Sequence, residues 1–123
     1  MKKITNIETG KSGERCAKNF LRRRKFSIIE TNYRTPLGEI DIIARDGGYT
    51  VFIEVKSRVF RDGVSPLYNI TKKKRDHIVK NACYYLKHNG LWETPSRIDV
   101  VSIIFTDQKD LMMIEHIKNA IEV

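Results

Sequence analysis

Two carboxylates and an ammonium group carry the chemistry that this chain can do. Asp41, in Gly38-Glu39-Ile40-Asp41, precedes Glu54-Val55-Lys56 by thirteen residues, and the second motif closes the apolar run Tyr49 to Val55. Ionised Asp, Glu and Lys are almost never buried without a partner or a metal. Charges set beside Val51, Phe52 and Ile53 therefore need compensation. Asp46-Gly47-Gly48-Tyr49, between two apolar runs, signals a two-residue hairpin, because primed turns require positive φ at their central residues. Counting back from that turn places Asp41 opposite Glu54, and Glu39 opposite Lys56. Alternation then predicts that Glu39, Asp41 and Ile43 share a face with Phe52, Glu54 and Lys56, while Ile40, Ile42, Val51, Ile53 and Val55 fill the other. Directly opposed Cβ atoms lie roughly 4.5 to 5.5 Å apart, where like charges are destabilising. A bound cation turns that repulsion into coordination.

Magnesium suits the ligand set. It is a hard ion that takes one or two carboxylates and keeps waters and phosphate oxygens as its other ligands; manganese can stand in for it. Lys56, two residues past Glu54 on the same face, lies roughly 7 Å further along the strand. That is near enough to orient a water or to neutralise charge developing on a phosphate. Metal-assisted hydrolysis of a phosphodiester uses these parts. The competing reading is a plain hairpin with a carboxylate pair and a cross-strand salt bridge on a solvated sheet face. Opposition across a counted turn, within strands of core character, favours the metal site.

The elements that must position these groups follow from length and pattern. The chain has 123 residues and a formal net charge of +8. One domain over residues 1–123 is expected, burying about two-thirds of the surface that the unfolded chain exposes. The positive balance favours a polyanionic partner, DNA or RNA ahead of an anionic membrane. Cys16 and Cys83 fit no C-x-x-C pattern and fall in helical segments, so they read as buried free thiols in a reducing compartment. The N-terminus has no apolar leader and no apolar stretch nears eighteen residues, so a cytoplasmic protein without membrane attachment is expected.

A polar leader, Met1 to Lys11, precedes a helix predicted from Ser12 or Gly13 to about Arg24, with Ala17, Phe20 and Leu21 on one face and Glu14 in its first turn. A strand is expected near Phe26 to Arg34, closed by Thr35-Pro36-Leu37-Gly38, and the two hairpin strands follow. Arg58 to Leu67, with Gly63 and Ser65-Pro66, reads as a loop. A helix from about Thr71 to Asn89 carries Ile78, Val79, Ala82, Tyr85 and Leu86 on one stripe, and Gly90 closes it. Ser96 to Phe105 is a strand, Leu111 to Ile114 a short strand or helix lead-in, and Glu115 to Glu122 a terminal helix. The order αβββαβ predicts an α/β fold, an antiparallel meander joined through a crossover helix to one more strand: a mixed sheet flanked by helices.

Gly13-Glu14, Asn32-Tyr33-Arg34, Gly38 to Ile43, Val51 to Arg58, Lys74, Ala82 with Tyr85-Leu86, and Arg97-Ile98-Asp99-Val100-Val101 together resemble the bacterial YraN family. That family is similar to archaeal Holliday junction resolvases within the PD-(D/E)xK nuclease superfamily. The resemblance covers nearly the whole chain, though Ile40 stands where the motif often has Pro, and Ile98 where the family usually has Phe. It implies a restriction-endonuclease-like fold, magnesium dependence and a site of Asp41, Glu54 and Lys56. The Val55 carbonyl would be a further ligand and Glu14 the helix-borne glutamate that joins the metal. It also implies a preference for branched DNA and allows a homodimer.

Other residues have plainer alternatives. Glu14 near a helix start interacts favourably with the helix dipole. Asp99 reads as a supporting carboxylate or a partner for Arg97 or a lysine. Arg22-Arg23-Arg24-Lys25 reads as a solvated C-terminal cap. Lys72-Lys73-Lys74-Arg75 opens a helix, where cations are unfavourable and phosphate is welcome. Lys72 and Lys74, with Arg34 and Arg58, are therefore expected phosphate contacts, and Tyr68 a base-stacking candidate. His77, His88 and His116 lack metal-ligand spacing. A Mg2+-dependent endonuclease acting on DNA is the leading expectation. A non-catalytic nucleic-acid-binding module and a basic adaptor that pairs through Leu111 to Ile114 are the alternatives.

Overall fold

Strands that alternate between two sets of apolar side chains make a sheet with two faces to bury, and each of two helices covers one of them. The computed structural model describes residues 6–60, 70–108 and 110–122. In chain order the elements are α1 (Asn6–Arg23), β1 (Ser27–Thr35), β2 (Gly38–Asp46), β3 (Tyr49–Val59), α2 (Lys72–His88), β4 (Ser96–Phe105) and β5 (Leu111–Ile121). The five strands lie side by side in sequence order. Only β3 and β4 are parallel, the pair joined through the segment that holds α2. The result is a mixed sheet between two helices, the α/β class expected and compatible with a restriction-endonuclease-like core.

Under α1, Ala17 and Leu21 meet Ile42, Ala44, Val51, Ile53, Val101, Ile103 and Phe105. Under α2, Ala82, Tyr85 and Leu86 meet Ile40, Ile43, Phe52, Ile98 and Ile121. The α2 ends are set locally. Thr71 Oγ1 accepts from the Lys74 N–H at 3.2 Å, and Gly90 at φ 65° lets the Leu91 N–H reach the Leu86 carbonyl at 2.8 Å. The hairpin forms as counted from Asp46–Tyr49 to Ile42–Ile53, and the pairing stops short of the expected oppositions of Asp41 to Glu54 and Glu39 to Lys56.

Four further expectations are corrected. The first helix starts at Asn6, not Ser12 or Gly13. Gly10, Lys11 and Ser12 carry no apolar side chain from which periodicity could extend the helix backwards. Strand β3 runs on through Arg58 and Val59, which pair with Ile104 and Phe105, so the loop reading fails there. Phe60 follows the strand, its N–H donating to the Phe105 carbonyl at 2.8 Å, and residues 61–67 of that loop lie outside the described residues. Ile40 packs with Ile43 beneath α2 instead of with Ile42 beneath α1. Beyond Ile42 the paired register with β3 ends, and Asn32, opposite Asp41 between the pairs Thr31–Ile42 and Tyr33–Ile40, takes a left-handed φ of 52°. Strict alternation fails at that distortion.

The fourth correction is the C-terminus, where an eleven-residue strand replaces the terminal helix. Ile98 pairs with Ile121 but Val100 with Ile117, so β5 advances four residues while β4 advances two. That bulge, with Asn119 at φ 50°, spaces Ile114, Ile117 and Ile121 by three and four. Such spacing imitates a helix.

Helix α1 crosses β3 at a point that only glycine allows. A Cβ on Gly13 would fall 2.5 Å from both Cβ and Oγ of Ser57. Alanine gains helix propensity, up to about 1 kcal/mol, but a Cβ–Cβ approach that no rotamer relieves outweighs it. Gly13→Ala is expected to cost about 1–3 kcal/mol net, read as a lower urea midpoint at unchanged m value. A midpoint equal to or above the parent's would refute this close-packing account.

Candidate functional site

Where β2 parts from β3, Asp41 turns into the gap, and its Oδ2 accepts from the Val55 N–H at 2.8 Å. A carboxylate thus replaces a backbone partner. Residues that exchange both ladder bonds in an antiparallel pair point N–H and C=O to the same side, so the Val55 carbonyl faces this gap as well. Glu54 leaves β3 next to it, and its side chain is 12% exposed. The two acids feel each other. Burial first, then repulsion from Glu54, outweigh the hydrogen bond from Val55; with Glu14 adding and Lys74 opposing, the Asp41 carboxyl is pushed up to about 7.

Opposite these acids stands the first part of α2. Lys74 Nζ lies 3.0 Å from Glu54 Oε1, and Lys73, His77 and Asn81 complete the wall of an open cleft of about 430 Å³. Asn81 is buried and accepts a short hydrogen bond from Thr35 Oγ1, which ties α2 to β1. One wall of the cleft is acidic and the other basic.

Glu14 comes to this place from α1. It lies eight residues into the helix, where the dipole no longer explains a carboxylate, since that effect is confined to the first turn. Asn32 receives it. With the amide nitrogen turned between the two acids, Asn32 Nδ2 donates to Glu39 Oε1 at 2.8 Å and Glu14 Oε1 at 3.0 Å. Asn32 is a functional candidate that the reading of single residues missed. Its role depends on a strand pairing and a left-handed backbone that no local pattern announces.

A profile of the uncharacterised protein family UPF0102 matches residues 13–103. The chain belongs to that family. It is similar to a UPF0102 protein of Clostridium kluyveri, 39% identical over 118 residues that cover 96% of this chain and 97% of that protein. It is also similar to UPF0102 proteins of Thermodesulfovibrio yellowstonii, 42% identical with 95% and 98% covered, and of Clostridioides difficile, 39% identical with 95% and 99% covered. The match to the UPF0102 profile begins at the docking glycine, Gly13, and takes in Glu14, Asn32, Asp41, Glu54, Lys56 and Lys74.

The remaining expected residues of this UPF0102 chain lie on β1, β3 and α2. Lys56 is exposed, two residues along β3 from Glu54, while the ammonium group on Glu54 belongs to Lys74. Arg34 is exposed on β1, where it pairs with Glu39 at the cleft end of the sheet. Lys72 is exposed at the start of α2, and Arg58 is half-buried near the end of β3. Tyr68 lies outside the described residues. His77, assigned no special role from its spacing, lines the cleft.

Asp99 serves elsewhere. Fully buried, it accepts from Arg97 Nε at 3.0 Å and from the Asn119 N–H at 2.9 Å, with His116 Nε2 2.8 Å away. Arg97 reaches on to Asp46 at 2.8 Å. Burial alone would raise the Asp99 carboxyl; hydrogen bonds from His116, Arg97 and Asn119 outweigh it and hold the group below its ordinary range. The cluster binds β4, β5 and the β2–β3 hairpin together.

The acid pair is suited to a hard divalent cation. Among the described residues no group of three or more His, Cys, Asp and Glu side chains is gathered closely enough to hold a metal. Glu14, expected as a further ligand, is thus not gathered with Asp41 and Glu54 into such a group, and the oxygens at the gap are those of Asp41, Glu54 and the Val55 carbonyl. Magnesium, which keeps waters and phosphate oxygens in its shell, needs no more. Lys74 already supplies one positive charge to Glu54.

Proposed function

We propose that this UPF0102 protein is a Mg2+-dependent endonuclease that hydrolyses phosphodiester bonds in DNA. The observation that carries the reading is the pair Asp41 and Glu54, held together against their repulsion at the rim of a cleft whose other wall is Lys73 and Lys74. Two facing carboxylates repel phosphate, so a pure DNA binder gains nothing from them. Asp41, Glu54 and the Val55 carbonyl would hold the ion, and manganese would fit the same oxygen set. When bound, the ion supplies Lewis acidity toward the scissile phosphate.

The side chains do the rest. With Glu54 engaged in holding the ion, Lys74 would be available to neutralise a phosphate oxygen, and Lys56 would supply positive charge further along β3. The α2 N-terminus offers its free N–H groups to the same backbone. Glu14, steered by Asn32, adds negative charge on the α1 side. The resolvase resemblance favours branched DNA as substrate and a homodimer as the working unit, in the cytoplasm.

The test is incubation of the purified protein with linear, branched and single-stranded DNA, with Mg2+, with Mn2+ and with EDTA. Cleavage is expected with either metal, absent with EDTA, and reduced at least a hundredfold in Lys56→Ala, a typical cost of removing one transition-state stabiliser. Tight binding without cleavage of any substrate would replace the enzyme by a binding module of the same fold.

A further inference from the structure

Lys11, Arg15, Lys18 and Arg22 recur along α1 at steps of four, three and four. At 100° per residue they fall within about 60° of one another and span about 16 Å of helix. Lys11, Arg15 and Arg22 are exposed and Lys18 is half-buried. Between residues 10 and 23 the only carboxylate on α1 is Glu14, which turns toward Asn32. Among the described residues none of the four cations forms an ion pair. Like charges at such spacings destabilise a helix, so the stripe works against the stability of α1 unless a polyanion lies along it.

We infer that this stripe is a phosphate-tracking surface that holds one strand of duplex nucleic acid against α1 and delivers it to the acid pair. The inference deepens the nuclease reading and rests on it for the partner. Its length matches the axial run over which one strand of a duplex presents about five phosphates. Its position suits delivery: Glu14, on the flank of the stripe, is held by Asn32 of β1, which lies opposite Asp41 between the pairs Thr31–Ile42 and Tyr33–Ile40. A lipid surface is a poorer match. A helix that lies on a membrane keeps an apolar face free to enter it, whereas Ala17, Leu21, Cys16 and Phe20 of α1 are spent on the core. The cap reading of the basic run Arg22 to Lys25 covers its last residue, Arg22, but not Lys11, Arg15 or Lys18, which lie before the C-terminal turn.

The test measures affinity for a labelled duplex across a potassium chloride series, with EDTA present so that binding is read without cleavage. One variant carries Lys11→Gln, Arg15→Gln, Lys18→Gln and Arg22→Gln. The other, equal in charge, carries Lys25→Asn, Lys80→Gln, Lys87→Gln and Lys118→Gln. The stripe variant is expected to lower the log-log salt slope by about 3 to 4, since each phosphate contact contributes about 0.9. The control variant changes it by less than about one. Equal losses in the two variants, or no change in the stripe variant, overturn the inference. Preferential binding of the parent to phosphatidylserine vesicles over duplex also overturns it. Should the fourfold variant fail to fold, the pairs Lys11/Arg15 and Lys18/Arg22 are each expected to lower the slope by about 1.8, and an unchanged slope in both refutes the surface. A parent that binds duplex through the stripe yet cleaves nothing with Mg2+ or Mn2+ supports the surface and removes the hydrolase reading alone.

Discussion

Asp41→Asn is expected to stabilise the metal-free protein at pH 8 and at the same time to abolish its response to divalent cations. The Asp41 carboxyl titrates at about 7 in the fold against 3.8 ordinarily, through burial and then repulsion from Glu54. Between those values the folded state binds more protons than the unfolded one, so stability falls as the pH rises from about 4 to 7 and stays low above. The amide removes the titration and keeps an oxygen for the Val55 N–H. Partial exposure of Asp41 tempers the gain, which should be about 1–3 kcal/mol at pH 8 and near zero at pH 4. Melting curves at the two pH values, without metal, measure it. A gain that is the same at both would refute the account of the repelling pair.

Added magnesium should reverse the ranking. A ligand that binds only the folded state stabilises by about 2.7 kcal/mol at a hundred times its dissociation constant. That increment is expected in the parent and absent in Asp41→Asn. A parent whose melting point ignores both Mg2+ and Mn2+ has no metal site here.

Arg97→Ala should be the most destabilising single change away from the cleft. It removes both guanidinium hydrogen bonds to Asp99, which is fully buried and is left with His116 and the Asn119 N–H, and also removes the partner of Asp46. Breaking a buried pair by deleting one member typically costs about 3–5 kcal/mol, because the other charge is left uncompensated. The Arg97 guanidinium also lies 5.4 Å from the Tyr49 ring centroid and 5.7 Å from that of Phe26, contacts that alanine cannot replace. The pH dependence carries the sign. Because the Asp99 carboxyl is held below its ordinary range in the parent, its contribution is present above the unfolded value near 3.8 and is lost as the pH falls beneath it. The gap between parent and variant should therefore be full at neutral pH and narrow below about pH 4, where protonation neutralises the stranded acid. Urea unfolding across that range tests both statements, and a loss of under about 1 kcal/mol at pH 7 would show the cluster to be dispensable.

What could be read from residue order alone was whatever depends on near neighbours. The Gly47-Gly48 turn set the pairing of Asp46 with Tyr49 and Ile42 with Ile53, which leaves Asp41 and Glu54 one step beyond the last pair on their own strands. Thr71 and Gly90 marked the ends of α2, and β4 runs from Ser96 to Phe105 as expected, between Pro95 and the turn at Thr106 to Asp110. Each of these is a local backbone preference, and local preferences are visible in a one-dimensional string.

Tertiary structure decided the rest, because it concerns contacts between residues far apart in the chain. Asn32 joins Glu14 to Glu39 only because β1 pairs with β2 and α1 crosses above them. Glu54 takes Lys74 as its counter-ion only because α2 folds back over β3. The terminal segment is a strand because β4 offered an open edge and Asp99 a buried acceptor for the Asn119 N–H, and these overrode an apolar spacing of three and four. Ile40 left its expected layer because the sheet opens at Asp41. The acids were legible as residues, but the charges that surround them were fixed by the packing of two helices on opposite faces of one sheet.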